Sequence, residues 1–531
     1  MKTLNLHSDY SKYGGYIQLC LPIETERFIP VRDSVRLLNK VFEEMDYTNL
    51  YRSYSEVGRN PAVSPKTLCK IMIYAYSLGI YSSRKIERAC HMDLGFIYLL
   101  QGDQAPDHNT INRFRKDKLV YFAEELLTQF VELLYDLDEV QFRTLFVDGT
   151  KFEANANRYT FVWRKSTEKY RAKLQGKCRT FLLNHLAEED IPHHLSAEFL
   201  EGLALIWRRQ AELEDTVFVH GIGKRKGAWQ KAIETIEGYA VRERKYATHL
   251  DILGSTRNSF SKTDPDATFM RLKDDHMRNS QLKAAYNVQL GTESEYVVGI
   301  DVSSERTDVQ TFIPFLERIK RNYARTFLEA VADAGYESEE NYRYLEKEHI
   351  TAYIKPSNYE YSKTRKFQRE QVFRLAMSYD KEGDFYTCKA GRPLLFTGYR
   401  THKRKGGFSS QSKIYTCKTC TGCTHLGTCY KGKYSKQIQV NENFDKYRKR
   451  SLANVTSQYG TVLRVNRSIQ AEGVFGVLKE NMQFTRFLTR GETNVRTEML
   501  LLALGFNINK LHNRIQNGRL GQHLFPLKEA G

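Results

Sequence analysis

The stretch Asn466-Arg-Ser-Ile-Gln-Ala-Glu472-Gly-Val-Phe-Gly-Val-Leu-Lys479-Glu-Asn481 decides how the rest of the chain is read. Glu472 and Lys479 stand seven residues apart, close to two turns of an α-helix, and so share a face. Ile469 and Phe475 flank Glu472 at helical spacing, which predicts that this face looks inward. A carboxylate and an ammonium along a partly buried face suit a metal ion beside a phosphate. Alone, such a pair is more often a solvated surface pair, and two further stretches shift that balance.

The first is Thr144-Leu-Phe-Val-Asp148-Gly-Thr-Lys-Phe-Glu-Ala-Asn-Ala-Asn157. A short run of strand formers ends in Asp and then Gly, which predicts a buried strand delivering a carboxylate at its carboxyl end. The second is Phe327-Leu-Glu-Ala-Val-Ala-Asp333-Ala-Gly-Tyr336, read as another strand, although its alanines also allow a helix. An Asp beside Gly is commonly a turn or cap residue. Asp301, inside a predicted strand, and Asp308, read as an N-cap, are rivals to Asp333.

Together these phrases resemble the DDE transposases of bacterial insertion sequences. The matching residues are D-G-T-K-F-E-A-N-A-N from Asp148, A-D-A-G-Y around Asp333 and R-S-I-Q-A-E-G-V-F-G-V-L-K from Arg467. The nearest group is the insertion-sequence family eleven-eighty-two, in the wider class with a Tyr-Arg-Glu-Lys signature. That signature reads Y-x2-R-x3-E-x6-K. Here E-x6-K is intact, Arg467 stands five residues before Glu472, and no Tyr is in register. The resemblance runs from about residue 30 to about residue 515.

The resemblance implies an α/β, ribonuclease-H-like catalytic core and a reaction at DNA phosphorus. Asp148, Asp333 and Glu472 would hold Mg2+ or Mn2+, hard cations that prefer oxygen ligands. Asp148 would serve both ions of a two-ion site, and Lys479 would hold a phosphate of the transposon end, with Arg467 also on DNA. The implied reaction is hydrolysis at a transposon end, then attack of the freed 3′ hydroxyl on target DNA. A homodimer on double-stranded DNA follows by the same analogy. A metal-dependent nuclease of the same fold, or a DNA-binding regulator without catalysis, is the alternative.

Composition agrees with a polyanionic partner. The 531 residues carry a net charge of +18, which points first to nucleic acid. No apolar run reaches the ~20 residues that span a bilayer, and the N-terminus lacks a signal-peptide core, so no membrane and a cytoplasmic, nucleoid-associated location are expected. Nine cysteines, an odd number, argue for thiols or metal ligands rather than a disulfide framework.

Read in order, the chain predicts an all-α N-terminal DNA-binding domain over 1–140. Ser34 to Met45 has helical spacing. Ser64-Pro65 opens a helix that Gly79 ends, Ser82 or Ser83 opens another to Cys90, and Asp93 to Leu100 forms a third. Asp107 opens a fourth, whose Arg113, Arg115, Lys116 and Lys118 are read as a DNA-facing basic surface. The remainder, 141–531, is the catalytic domain, interrupted by a helical insertion at 162–265 and a cysteine-cluster insertion at 356–460. Gly221 to Gly227 is read as a flexible basic linker. Lys283–Leu290 and Tyr296–Val302 are read as a hairpin joined by Gly291-Thr-Glu-Ser. Asp264 and Asp266 have no assigned role beyond a turn.

Cys417-x2-Cys420-x2-Cys423-x5-Cys429 has the spacing of a structural Zn2+ site. Cys388 or His425 can replace one of the four, because three thiolates in C-x2-C-x2-C are crowded. Basic runs at His402–Lys405 and Lys431–Lys436 lie close by, and the end of the last helix, Arg514 to Arg519, is read as a further DNA contact.

Overall fold

The computed structural model describes residues 25–54, 61, 63–221, 225–272, 281–370, 373–404, 407–430, 432 and 434–526. Parts of the glycine linker, of both basic runs and of the stretch before Ser64 lie outside them.

The N-terminal helices form where the capping residues predict. Asp33 caps α1 (Ser34–Glu43), and a short α2 follows (Thr48–Arg52). Ser64 accepts from the amide of Thr67 at 3.0 Å and starts α3 (Pro65–Ser77). Gly79, at φ +72°, turns the chain out of α3. Next come α4 (Ser83–Met92), α5 (Leu94–Leu100) and α6 (His108–Arg113), the last two capped by Asp93 and Asp107. One π turn (Phe114–Lys118) leads into α7 (Leu119–Asp136).

The central strand is β1 (Thr144–Glu153). The chain then leaves for β2 (Phe161–Trp163), α8 (Arg164–Leu182), α9 (Ala197–Leu213), α10 (Ala228–Leu253) and β3 (Ser259–Ser261). β2 and β3 pair antiparallel at the base of this excursion. Its three helices bury a core of their own around Leu174, Leu200, Trp207 and Ile236.

The sheet resumes with β4 (Thr268–Arg271), β5 (Leu282–Glu293) and β6 (Tyr296–Ser303). β5 lies antiparallel to β1, and its free edge pairs β4 over one half and β6 over the other. Next come α11 (Phe312–Asn322), β7 (Glu329–Ala332), α12 (Glu339–Lys347) and β8 (Thr351–Ile354). β7 is parallel to β1 and β8 parallel to β7, giving a mixed sheet with β1 between an antiparallel and a parallel half. The expected strand at Phe327–Asp333 is a strand, because it enters between two apolar neighbours rather than on a helical face.

The hairpin turn differs from the sequence reading. β5 runs through Gly291, and the turn is Ser294-Glu295, with both residues in the left-handed region (φ 52° and 64°). Gly291 marks a close approach instead: a Cβ there would stand 2.9 Å from Leu145 Cδ1 and from Phe315 Cζ of α11. Just before that turn, Glu293 is buried. Its carboxylate accepts from the amides of Gln141, Phe142, Arg143 and Thr144 at 3.2, 2.8, 2.8 and 3.1 Å. It thereby fixes the entry into β1. Glu293→Ala is expected to cost about 3 kcal/mol or more, since it strands four donors, and Glu293→Gln less. The midpoint of urea unfolding checks this.

After β8 come α13 (Tyr359–Ser362), α14 (Arg365–Glu370) and a separate antiparallel meander. Its strands are β9 (Ser378–Asp380), β10 (Phe385–Thr387), β11 (Pro393–Lys403), β12 (Ser409–Cys417) and β13 (Gln437–Val440). The expected end of this excursion, residue 460, needs correction. α15 (Glu442–Thr456) already packs on β8, where Ser451 Oγ bonds the amide and carbonyl of Ile354 at 3.0 and 2.9 Å.

The chain closes with α16 (Gln458–Arg467), a π turn (Ser468–Glu472), α17 (Gly473–Gly476), a second π turn (Val477–Asn481) and α18 (Glu492–Gln516). α18 runs between the N-terminal helices and the sheet. Its Asn507 bonds both the amide and carbonyl of Val297 on β6, while Asn509 donates to Ser77 O at 2.8 Å. One apolar cluster therefore spans the N-terminal helices, the sheet and α18.

Candidate active site

Side chains alternate along β1, so Phe146, Asp148, Thr150 and Phe152 share one face. The α16–α17 segment lies across it. Leu463 and Ala471 pack with Phe146, and Phe475 packs with Phe152. Between these apolar anchors the helix meets the two polar residues of the strand. Arg467 Nη1 lies 3.7 Å from Asp148 Oδ1, and Arg467 also pairs with Glu472. Further along, Lys479 Nζ donates to Thr150 Oγ1 at 3.0 Å, above the ring of Phe152. The two π turns reset the phase of this helix, so a uniform 3.6-residue pitch does not describe it. Glu472 is half exposed, not turned inward as its flanking residues suggested, with its side chain 50% accessible.

Asp333 arrives from β7. The register pairs Val147 with Ala332, the last residue of β7, so Asp333 leaves β7 beside Asp148, which lies mid-strand on β1. Asp333 Oδ1 accepts from the amide of Gly335 at 2.8 Å. Burial pushes the Asp148 carboxyl up to about 6; Arg467 opposes this, and the charges of Asp333 and Glu472 add to it. Asp148 thus feels both other acids and one arginine.

The rivals Asp301 and Asp308 each have partners of their own. Asp301 is engaged by Arg318 Nε at 2.9 Å, as part of an ion network with Glu124. Asp308 is no N-cap: its carboxylate turns back to β5 and accepts from Asn287 and Gln289. Asp264 accepts from the Tyr286 hydroxyl at 2.9 Å and Asp266 from the amide of Glu492 at 3.0 Å, tying the end of the helical excursion to the start of α18.

Two basic expectations need correction. Arg115 is buried, and its guanidinium donates to the Tyr76 hydroxyl, Tyr81 O and Asn112 Oδ1. It holds α3 and its following loop and cannot face DNA. Arg514 is also buried, paired with Glu139 at 2.7 Å, and donates to Ser294 O. Arg113 and Lys116 are exposed.

Cys388, Cys417, Cys420, Cys423, His425 and Cys429 line one small cavity with Lys436. The β10–β11 hairpin supplies Cys388, the end of β12 supplies Cys417, and the following loop supplies the rest. The backbone amide of Lys436 donates to Cys420 Sγ at 3.3 Å, and its ammonium to Cys429 Sγ at 3.2 Å. Burial and the neighbouring Cys420 push the Cys417 thiol up to about 11. All are free thiols. Among the described residues, no three His, Cys, Asp or Glu side chains meet at one metal-binding point, here or at the acids.

Comparison with known families supplies two matches. Residues 23–117 match a transposase domain (DUF772), which takes in α1 to α6, and residues 387–512 match a transposase DDE domain. The second match holds the cysteines, Glu472 and Lys479, while Asp148 and Asp333 lie between the two. No curated protein and no solved structure matches the chain. The chain thus carries transposase domains, whose partner is DNA. The DDE domain is that of a DNA-cleaving enzyme, a class that normally uses a divalent metal such as Mg2+. No helix among the described residues is long and apolar enough to cross a membrane.

Proposed function

We propose that this chain is an insertion-sequence transposase that cleaves DNA at transposon ends and joins the freed 3′ end to target DNA. The observation that carries this reading is Asp148 on β1, set beside Asp333 at the exit of β7 and sharing Arg467 with Glu472. The strand order, with β1 antiparallel to one neighbour and parallel to the other, supports a ribonuclease-H-like core over 141–531. The three-helix excursion and the cysteine-bearing meander interrupt it.

The donor set is all carboxylate oxygen, which suits Mg2+ or Mn2+. Asp148, Asp333 and Glu472 would hold it. When bound, such ions activate the attacking oxygen and stabilise the leaving one in an in-line displacement at phosphorus. Arg467 is shared by Asp148 and Glu472, and its guanidinium would become available to a DNA phosphate once those acids are otherwise engaged. Lys479, held by Thr150 two residues beyond Asp148, would take a second phosphate. The meander is a second metal site in this reading: thiolate donors around one cavity suit a structural Zn2+.

The test uses the full chain, because α18 completes the core of the N-terminal helices. Purified protein is incubated with duplexes bearing the element's ends, target plasmid and Mg2+. The expected products are cuts at the ends and joined molecules. Cuts without joining would leave a nuclease, and binding without cuts a regulator; either would sink the proposal.

End binding is expected to be salt-dependent through exposed cations. Replacing both Arg113 and Lys116 by alanine should weaken binding and reduce the slope of log affinity against log salt by about 2. Arg115→Ala should instead lower the thermal midpoint, because it empties a buried hydrogen-bond site. Fluorescence anisotropy at several salt concentrations checks the first, and thermal unfolding the second.

A further inference from the structure

The acid cluster has a neighbour on the other side of the sheet. Asp308 lies in the turn before α11, between β6 and that helix. Its Oδ1 accepts from Asn287 Nδ2 at 2.8 Å and from Gln289 Nε2 at 3.2 Å, and Gln289 in turn accepts from the Tyr336 hydroxyl. Three polar side chains of β5 and the β7 exit thus orient one carboxylate. Such an investment exceeds what a turn residue needs.

Two glycines make room for it. Gly149 directly follows Asp148, and a Cβ there would lie 2.8 Å from Asp308 Oδ1 and 2.9 Å from the Tyr336 hydroxyl. Gly335 follows Asp333 by two residues, and a Cβ there would lie 2.9 Å from Asp333 Oδ1 and 3.4 Å from Asp308 Oδ2. The chain gives up a side chain beside each of the two strand acids, and Asp308 occupies the space. Neither glycine has positive φ, so close approach, and not backbone conformation, is what excludes a side chain.

Charge makes the approach costly. Asp148 lies mid-strand on β1 beside Asp333 at the exit of β7, and Asp308 approaches the same pair of strands from the face opposite Asp148. Arg467 pairs with Asp148 and Glu472, Lys479 bonds Thr150, and Lys283 and Arg486 pair with Glu153 further along β1. Among the described residues no Lys, Arg or His pairs with Asp308 or Asp333, so a divalent ion would find both charges uncompensated. Like charges brought together without compensation are destabilising, so the arrangement is that of a site built to receive a cation.

We propose that Asp308 is a fourth carboxylate of the cation site, a positioning residue that strengthens divalent-ion binding at Asp148 and Asp333. The proposal rests on the assignment of those acids to the cation and extends it to a residue outside the three-acid pattern. Asp308 acts through its fixed charge and through Oδ2, which lies at Gly335 as Asp333 Oδ1 does, while Oδ1 is held by the amides.

The test is Mn2+ binding to the full-length protein without DNA. Mn2+ alone is titrated into metal-free protein by calorimetry, and the rise in thermal midpoint with Mn2+ is recorded. Asp308→Asn keeps the shape and an acceptor oxygen for Asn287 and Gln289. It is expected to weaken Mn2+ binding by about tenfold, the range for groups that support metal ligands. It should also move the Mg2+ midpoint of DNA cleavage upward in proportion. Asp308→Ser is the second variant, with the Mn2+-induced rise read against each variant's own metal-free midpoint, so lost stability is not mistaken for lost affinity. Unchanged Mn2+ affinity in Asp308→Asn, with affinity lost in Asp148→Asn, overturns the role of Asp308 alone. Unchanged affinity in Asp148→Asn overturns the cation site itself. A lowered metal-free midpoint with an unchanged Mn2+ response reduces Asp308 to a structural residue and also overturns the proposal.

Discussion

Alanine in place of Asp148, Asp333 or Glu472, one at a time, is expected to lower cleavage of end DNA by about a thousandfold or more, with end binding held within a few-fold. Each acid removed takes away oxygen ligands that neither Arg467 nor Lys479 can replace. Binding is expected to survive because each variant leaves Arg467, Lys479 and the exposed Arg113 and Lys116 in place. Stability separates the three variants from misfolded protein. Burial holds the Asp148 carboxyl up near 6, so its ionised form is a cost in the native state at neutral pH. The sign follows from linkage: the cost is absent below the unfolded value near 3.8, grows through about 6 and is complete above it. Asp148→Ala therefore removes a penalty, and it is expected to unfold no earlier than the wild type at pH 8 in chelator. Asp301→Ala behaves in the opposite way, since it leaves Arg318 without one of its two acids, and should lower stability without abolishing cleavage. Gel assays of single-turnover cleavage and thermal unfolding decide both points. An active Asp333→Ala beside an inactive, stably folded Asp301→Ala would overturn the choice of the second acid.

What the sequence made legible was local. Ser64, Asp93 and Asp107 cap helices through their own side chains, so the starts of α3, α5 and α6 could be read from a few residues. The apolar runs ending in Asp148 and Asp333 form strands because both sheet faces there are covered by helices. The transposase resemblance reached the class of protein that the two family matches support. What stayed hidden depends on partners far along the chain. Arg115 reads as one more cation in a basic helix, and only the meeting of Tyr76 and Tyr81 with that helix removes it from the surface. Arg514 is withdrawn by Glu139, 375 residues away. Asp308 resembles an N-cap because Thr-Asp commonly opens helices; the amides of Asn287 and Gln289 outcompete that local role. Gly291 resembles a turn glycine, yet its use is to let Phe315 approach the sheet. The π turns around Glu472 have no signature in a pattern of period 3.6, and they decide which way that carboxylate points.

Replacing both Cys417 and Cys420 by serine is expected to release about one Zn2+ per chain and to unfold the meander while the main sheet stays folded. The meander has a small core of its own, formed by residues such as Leu394, Tyr415 and Ile438, and its strands are short apart from β11 and β12. So little buried apolar surface is expected to need a further constraint to hold five strands, which a metal on the thiols would supply. Cys417 ends β12 and Cys388 sits on the β10–β11 hairpin, so one ion held by both would fasten the two hairpins together. The donors from Lys436 to Cys420 and Cys429 would stabilise thiolates, and a metal would reverse the upward shift of the Cys417 thiol. Because the cavity holds five thiols and one imidazole, single replacements rank the ligands: Cys417→Ser and Cys420→Ser should lose zinc. Loss in Cys388→Ser but not in Cys423→Ser would give the fourth place to the hairpin rather than to the crowded run. Metal analysis of protein prepared without chelator, with limited proteolysis across 378–440, makes the measurement. Zinc-free wild-type protein whose meander still resists protease would show that packing alone suffices and would remove the metal from the account.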